Sequence, residues 1–222
     1  MKKTALNFTT FIISFCLIGC SVIPTNKIAP GYVQSYKAIK NVLFGFEDLN
    51  ISNELIQNIP YASLILKIGK GPQGLVILES VNQDQLTWVS ADGVYLVTEY
   101  GRIVSTRGLP NNLISILNQR SSLKDVLEEG NNESNYYSYD KPLLRNLHIK
   151  STYEIGNKEE VKILDKTFLL RVVYERGRNE YLGWSFTNKY WIDENYYIWK
   201  SEQFISPKLP KISILITKKP SY

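Results

Sequence analysis

Histidine and methionine each occur once in these 222 residues, and cysteine twice. Each scarcity closes off a kind of chemistry. With His148 as the lone imidazole, a Ser-His-Asp system would have to be built around it. Leu147-His148-Ile149 reads instead as a strand with two apolar residues on one face and the histidine on the other. One imidazole and no thiolate at ligand spacing leave no metal site. Gly69-x-Gly71 runs into Pro72 and a strand rather than a helix N-terminus, so it fails as a phosphate cradle. Asp193 and Glu194 are adjacent, whereas glycoside hydrolysis needs two carboxylates roughly 5–10 Å apart across a sugar. They read as a solvated turn. Also lacking is any apolar run of the ~20 residues that a membrane span requires. No basic cluster dominates any segment either, which argues against a nucleic-acid partner. The sequence therefore predicts no catalytic residue, no cofactor and no metal.

What is present begins at the N-terminus. Lys2 and Lys3 precede a short apolar run that ends in Leu17-Ile18-Gly19-Cys20. A basic flank, a short apolar stretch and small residues at the cut describe a secretory signal. The last four residues resemble the bacterial lipobox, in which a peptidase cuts before a diacylated cysteine. Residues 1–19 are accordingly read as the leader and Cys20 as the lipid attachment site. One acyl chain holds a protein to a membrane only marginally, whereas two or three hold it stably. Ser21, being other than Asp, favours the outer membrane by resemblance to enterobacterial sorting, with the chain anchored on the periplasmic side. Removing the leader takes 26 basic residues to 24 against 21 acidic, a net charge of +3. It also removes Cys16, so no disulfide is available and the fold must stand on its core.

Residues 20–31 lack periodicity and carry Pro24 and Pro30, as a tether would. Val33, Tyr36, Ile39, Val42, Leu43 and Phe46 recur at helical spacing and predict an amphipathic helix over 32–46. A short helix is expected at Asn53–Asn58. From Tyr61 onwards the period changes to two. Short strands are expected over 61–68, 74–81, 86–90, 93–98 and 102–106, with turns at Gly69–Pro72, Asn82–Asp84, Ala91–Gly93 and Tyr100-Gly101. The connections are too short for crossover helices, so the pairing must be mostly antiparallel. Leu109 to Leu117 reads as a short helix with Pro110 near its first turn. Ser122 to Glu129 reads as another, with Ser122 as N-cap, Asp125 three residues on, and Gly130 as the stop. Polar, tyrosine-dotted Asn131–Asp140 reads as a mobile loop and as the boundary between two β-rich halves. Beyond it, strands are expected over 147–155, 161–164, 168–176, 181–187, 189–192, 196–204 and 212–218. Arg176–Asn179 and Asp193–Asn195 are the hairpin turns on this reading. The fold class is mainly β: antiparallel sheets in a sandwich-like or coiled arrangement with a few short helices, and one body over 32–222.

Tyrosine is abundant, at 15, beside four tryptophans. Trp184, Tyr190, Trp191, Tyr196, Tyr197 and Trp199 fall within one short stretch. Aromatic faces stack on pyranose rings, yet large aromatics in a β-rich body are core residues first. If one aromatic face is open to glycan, strand parity makes Trp191 and Tyr197 its candidate contacts.

Several segments resemble one family in the right order: Ile59-Pro60-Tyr61-Ala62-Ser63, Lys67 to Gln73, Leu86 to Asp92, and Gly101 to Pro110. Phe186 to Asp193 and Trp199 to Gln203 complete the set. Together they are similar to the YjbF lipoproteins, which include the group 4 capsule lipoprotein of enteric bacteria. The resemblance implies a β-rich periplasmic body working beside the outer-membrane export machinery for a capsule or exopolysaccharide. Its implied partners are export proteins and the polysaccharide itself. It supplies no catalytic residue to carry over. The expected function is a non-enzymatic outer-membrane lipoprotein assisting polysaccharide assembly or export, with a glycan-binding module as the alternative and a trimming hydrolase or lyase behind it.

Overall fold

Alternation of buried and more exposed residues runs through many of the strands in the computed structural model, which describes residues 51–118 and 122–220. The leader, Cys20, the tether and the helix expected over 32–46 lie outside the described residues. Helix α1 (Asn53–Asn58) follows the Ser52 cap, whose side chain accepts the Leu55 N–H. Then come β1 (Ser63–Ile68), β2 (Gln73–Asn82), β3 (Gln85–Ser90), β4 (Tyr95–Glu99), β5 (Arg102–Arg107) and β6 (Leu113–Leu117). Helix α2 (Leu123–Glu128) opens on a capping box in which Ser122 and Asp125 satisfy each other's backbone N–H. After it run β7 (Asn132–Tyr139), β8 (Leu144–Ile163), β9 (Lys166–Asn179), β10 (Trp184–Ile192), β11 (Ile198–Gln203) and β12 (Ile212–Lys218).

All twelve strands form one antiparallel sheet in the order β5-β4-β3-β2-β1-β12-β11-β10-β9-β8-β7-β6. The sheet coils until its two ends meet, giving a nearly closed barrel, so the coiled arrangement is the one built. At the seam the bonds run through side chains. Leu113 N–H donates to Thr106 Oγ1 at 3.0 Å, and Ser105 Oγ donates to the Leu113 carbonyl at 3.2 Å. The sheet's ends are therefore covered, as edge strands require.

Three expectations are corrected. Leu113–Leu117 is a strand rather than a helix, because Leu113 and its successors pair with Tyr139 to Tyr136. Asn131–Asp140 is not a loop: β7 pairs with β6 on one side and β8 on the other, and the sheet runs unbroken across it. Its inward positions are Glu133, Asn135, Tyr137 and Tyr139, all buried. Arg176–Asn179 is not a turn but the end of β9, paired with β10 from Asn179↔Trp184 onwards. Gly177 lies under the Phe186 ring, where a Cβ would sit 2.1 Å from the nearest ring carbon. The glycine marks a close approach inside a strand.

The core has three parts. The largest fills the barrel with Leu64, Val76, Trp88, Leu96, Ile149 and Ile212 among others. A second joins α2 to Tyr153, Val173, Tyr190 and Ile198. The third lies on the outer wall, where the irregularity between Ile155 and Lys158 lets the far end of the β8–β9 hairpin pack Val161, Ile163 and Leu170 against Trp191.

Candidate functional site

Inward parity puts charged residues inside the barrel as well as apolar ones, and they divide its interior. Arg102, at the start of β5, donates to Glu133 on β7 at 2.9 Å, with side-chain exposures of 5% and 1%. It also donates to the Tyr153 hydroxyl at 3.2 Å, while Tyr153 donates to Glu133 at 2.5 Å. Glu175 on β9 accepts from Ser151 at 2.8 Å, Asn188 at 2.9 Å and Tyr190 at 2.7 Å. Gln203 on β11 reaches across to the seam strand. Its Oε1 accepts the Ile103 N–H at 2.9 Å and its Nε2 donates to the Gly101 carbonyl at 3.2 Å. Burial works against the charge of Arg102, but Tyr153, Glu133, Tyr190 and Glu175 outweigh it and keep the guanidinium protonated. Burial pushes the Tyr153 and Tyr190 hydroxyls up, so both stay neutral donors. Together these buried bonds brace the barrel.

On the side of β1 to β4 the interior holds a cavity of about 560 Å³. Leu64, Leu86, Trp88, Ile198, Ile214 and Ile216 form its depth, and exposed Asp84, Tyr100, Lys124 and Asn195 ring its mouth. Turns after β2, β4 and β10 shape that mouth, together with the first residues of α2. Gly101 is required in one of these turns. Its φ is +80°, and a Cβ would meet Ile198 Cβ at 2.7 Å. Asp193 fixes another. It accepts the N–H of Asn195 at 2.9 Å and of Tyr197 at 3.0 Å, and the Trp199 indole at 3.0 Å. Burial opposes its charge, yet these donors and Lys219 hold its carboxyl below the usual aspartate value.

The two aromatic candidates part company. Trp191 is only 3% exposed. Its parity is outward, as expected, but the β8–β9 hairpin covers it. The indole donates to Glu159 at 2.8 Å, and Lys189 and Lys200 sit 4.4 and 4.2 Å from its ring. The expectation of an open face at Trp191 is thus corrected, because lysine stems and a neighbouring hairpin occupy it. Tyr197 is half-buried at the cavity mouth, edge-on to Trp199 with ring centroids 5.4 Å apart and under Lys219. His148 points outward, as its parity predicts, stacks on Tyr136 and bonds Ser134 at 2.6 Å. Among the described residues no carboxylate reaches its other nitrogen, so the pair lacks the orienting third group of a triad. Glu194 faces solvent beside Lys158, while Asp193 is committed to its turn. Among the described residues no three metal-binding side chains converge.

Sequence reasoning missed both the cavity and the polar network. The network did leave a signal: Glu133 and Glu175 occupy the parity of buried Tyr137 and Val173.

A family profile described as group 4 capsule polysaccharide lipoprotein gfcB, YjbF, matches residues 36–216. The chain belongs to the YjbF family. Its YjbF-family relatives include two uncharacterized lipoproteins of Escherichia coli (strain K12). YjbF itself is 29% identical over 209 residues, covering 92% of each chain. GfcB is 28% identical over 162 residues, covering 68% of this chain and 72% of that one. The fold resembles the crystal structure of the hypothetical lipoprotein YmcC from the same organism, with a TM-score of 0.67 and 22% identity. That likeness covers 88% of this chain and 99% of the other. YjbF-family membership makes this a capsule-related, membrane-anchored lipoprotein.

Proposed function

We propose that this chain is a non-enzymatic lipoprotein of the outer membrane, anchored on its periplasmic side through Cys20, that assists the assembly or export of a capsule or exopolysaccharide. The observation that carries the reading is the match of the capsule-lipoprotein profile to residues 36–216, directly downstream of Leu17-Ile18-Gly19-Cys20. The body acts by tethering. Lipid on Cys20 confines it to the membrane surface and raises its concentration near export proteins held in the same membrane. Export proteins are the preferred partners over the glycan, since covering Trp191 removes half of the aromatic pair suited to stacking on sugars.

Radiolabelled palmitate should enter the wild-type chain and not Cys20→Ala. A strain lacking the chain should lose surface polysaccharide and regain it with the wild type but not with Cys20→Ala. Undiminished polysaccharide in the deletion strain refutes the role, and label in Cys20→Ala refutes the anchor.

A further inference from the structure

Around eight strands already enclose enough room for side chains or one small ligand. Twelve enclose more. Near β7 to β11, Arg102, Gln203 and the tyrosines take up the excess; near β1 to β4 it remains as the cavity of about 560 Å³. We propose that this cavity binds the hydrocarbon tail of a long-chain fatty acid, with the carboxylate at the rim. This inference is independent of the capsule role.

The chemistry of the wall selects the ligand. Leu64, Leu86, Ile198, Ile214 and Ile216 offer no side-chain hydrogen-bonding atom. The two polar atoms deep in the wall, Trp88 Nε1 and Thr98 Oγ1, are bonded to each other at 2.9 Å. A sugar pushed past the polar rim to this depth would lose water from its hydroxyls and find no replacement there, whereas a hydrocarbon tail forfeits nothing. The volume lies within the roughly 300–1,000 Å³ of small-molecule sites. Exposed Asp84, Tyr100, Lys124 and Asn195 at the rim require the outer end of the ligand to be polar. Lys124 supplies a cation for a carboxylate there. The mouth also lies at the end of the barrel where β1 begins.

Two of the four tryptophans, Trp88 and Trp199, line the cavity, and Trp184 and Trp191 do not. Bromine quenches indole only at close range, so the protein carries its own reporters. The mature lipidated protein, held in an amphipathic polymer, is titrated with 9,10-dibromostearate. The expected result is saturable quenching that disappears in Trp88→Phe/Trp199→Phe, although Trp184 and Trp191 still fluoresce. Competition by unbrominated saturated acids should strengthen about fourfold per added methylene until the cavity is full. Quenching that never saturates, quenching that survives in the double variant, or a flat chain-length series overturns the proposal. So does no quenching at all.

Discussion

Replacing Arg102 with leucine removes the guanidinium that donates to Glu133, a carboxylate 1% exposed. Removing one partner of a buried pair costs about 3–5 kcal/mol, because the remaining charge is uncompensated. Tyr153 and Asn135 still donate to Glu133, at 2.5 and 3.3 Å, which places the loss near the lower end. For a body of this size each kcal/mol moves Tm by roughly 2–4 °C, so 3 kcal/mol corresponds to a fall of about 6–12 °C. Calorimetry of wild type and Arg102→Leu at pH 7 measures it. Because the pair is out of solvent, raising the salt should leave the difference nearly unchanged. Adding Glu133→Gln removes the remaining charge while keeping an acceptor for Tyr153, and should recover more than half of the lost Tm. A fall of less than about 2 °C in the single variant, or no recovery in the double, would refute the view that this pair braces the seam strand.

Gly177→Ala forces the Phe186 ring off its seat, since the new methyl would lie 2.1 Å from a ring carbon. A destabilisation of about 1–3 kcal/mol is expected from overpacking, read as a lower urea midpoint with unchanged slope. An unchanged midpoint shows that the ring is not fixed there. Asp193→Asn should cost about 1 kcal/mol at pH 7 by weakening the turn at the cavity mouth. Asp193 is held below its ordinary value of 3.8, so its stabilising charge is present above that value and lost as pH falls through the folded-state value. The gap between wild type and Asp193→Asn should therefore close below about pH 4, and a pH-independent gap would contradict this.

Local signals carried most of the fold. Ser122 and Asp125 announce α2 because capping is settled within four residues. The turns at Gly69–Pro72 and Asp193–Asn195 likewise carry their own local signals in glycine, proline, asparagine and aspartate. Where the outcome depends on a distant partner, the sequence misleads. Pro110 and the leucines after it carry a plausible helix start, yet Leu113 is claimed by Tyr139 on β7. Gly177 looks like hairpin chemistry, but the glycine makes room for the Phe186 ring on the neighbouring strand rather than for a change of direction. Trp191 has the parity of a wet residue and is covered by the β8–β9 hairpin. The cavity is less legible still, for it depends on how many strands close the barrel, a number that no single strand records.

The place of β1 in the sheet has a mechanical consequence. In the sheet order β1 and β12 stand side by side as the fifth and sixth of twelve strands, well inside the sheet, and the seam falls between β5 and β6. Among the described residues β1 is the first strand, and it is hydrogen-bonded along both flanks, to β2 and to β12. A load entering along β1 is thus shared at once by two neighbours and never meets the seam, which lies four strands away on one side and seven on the other.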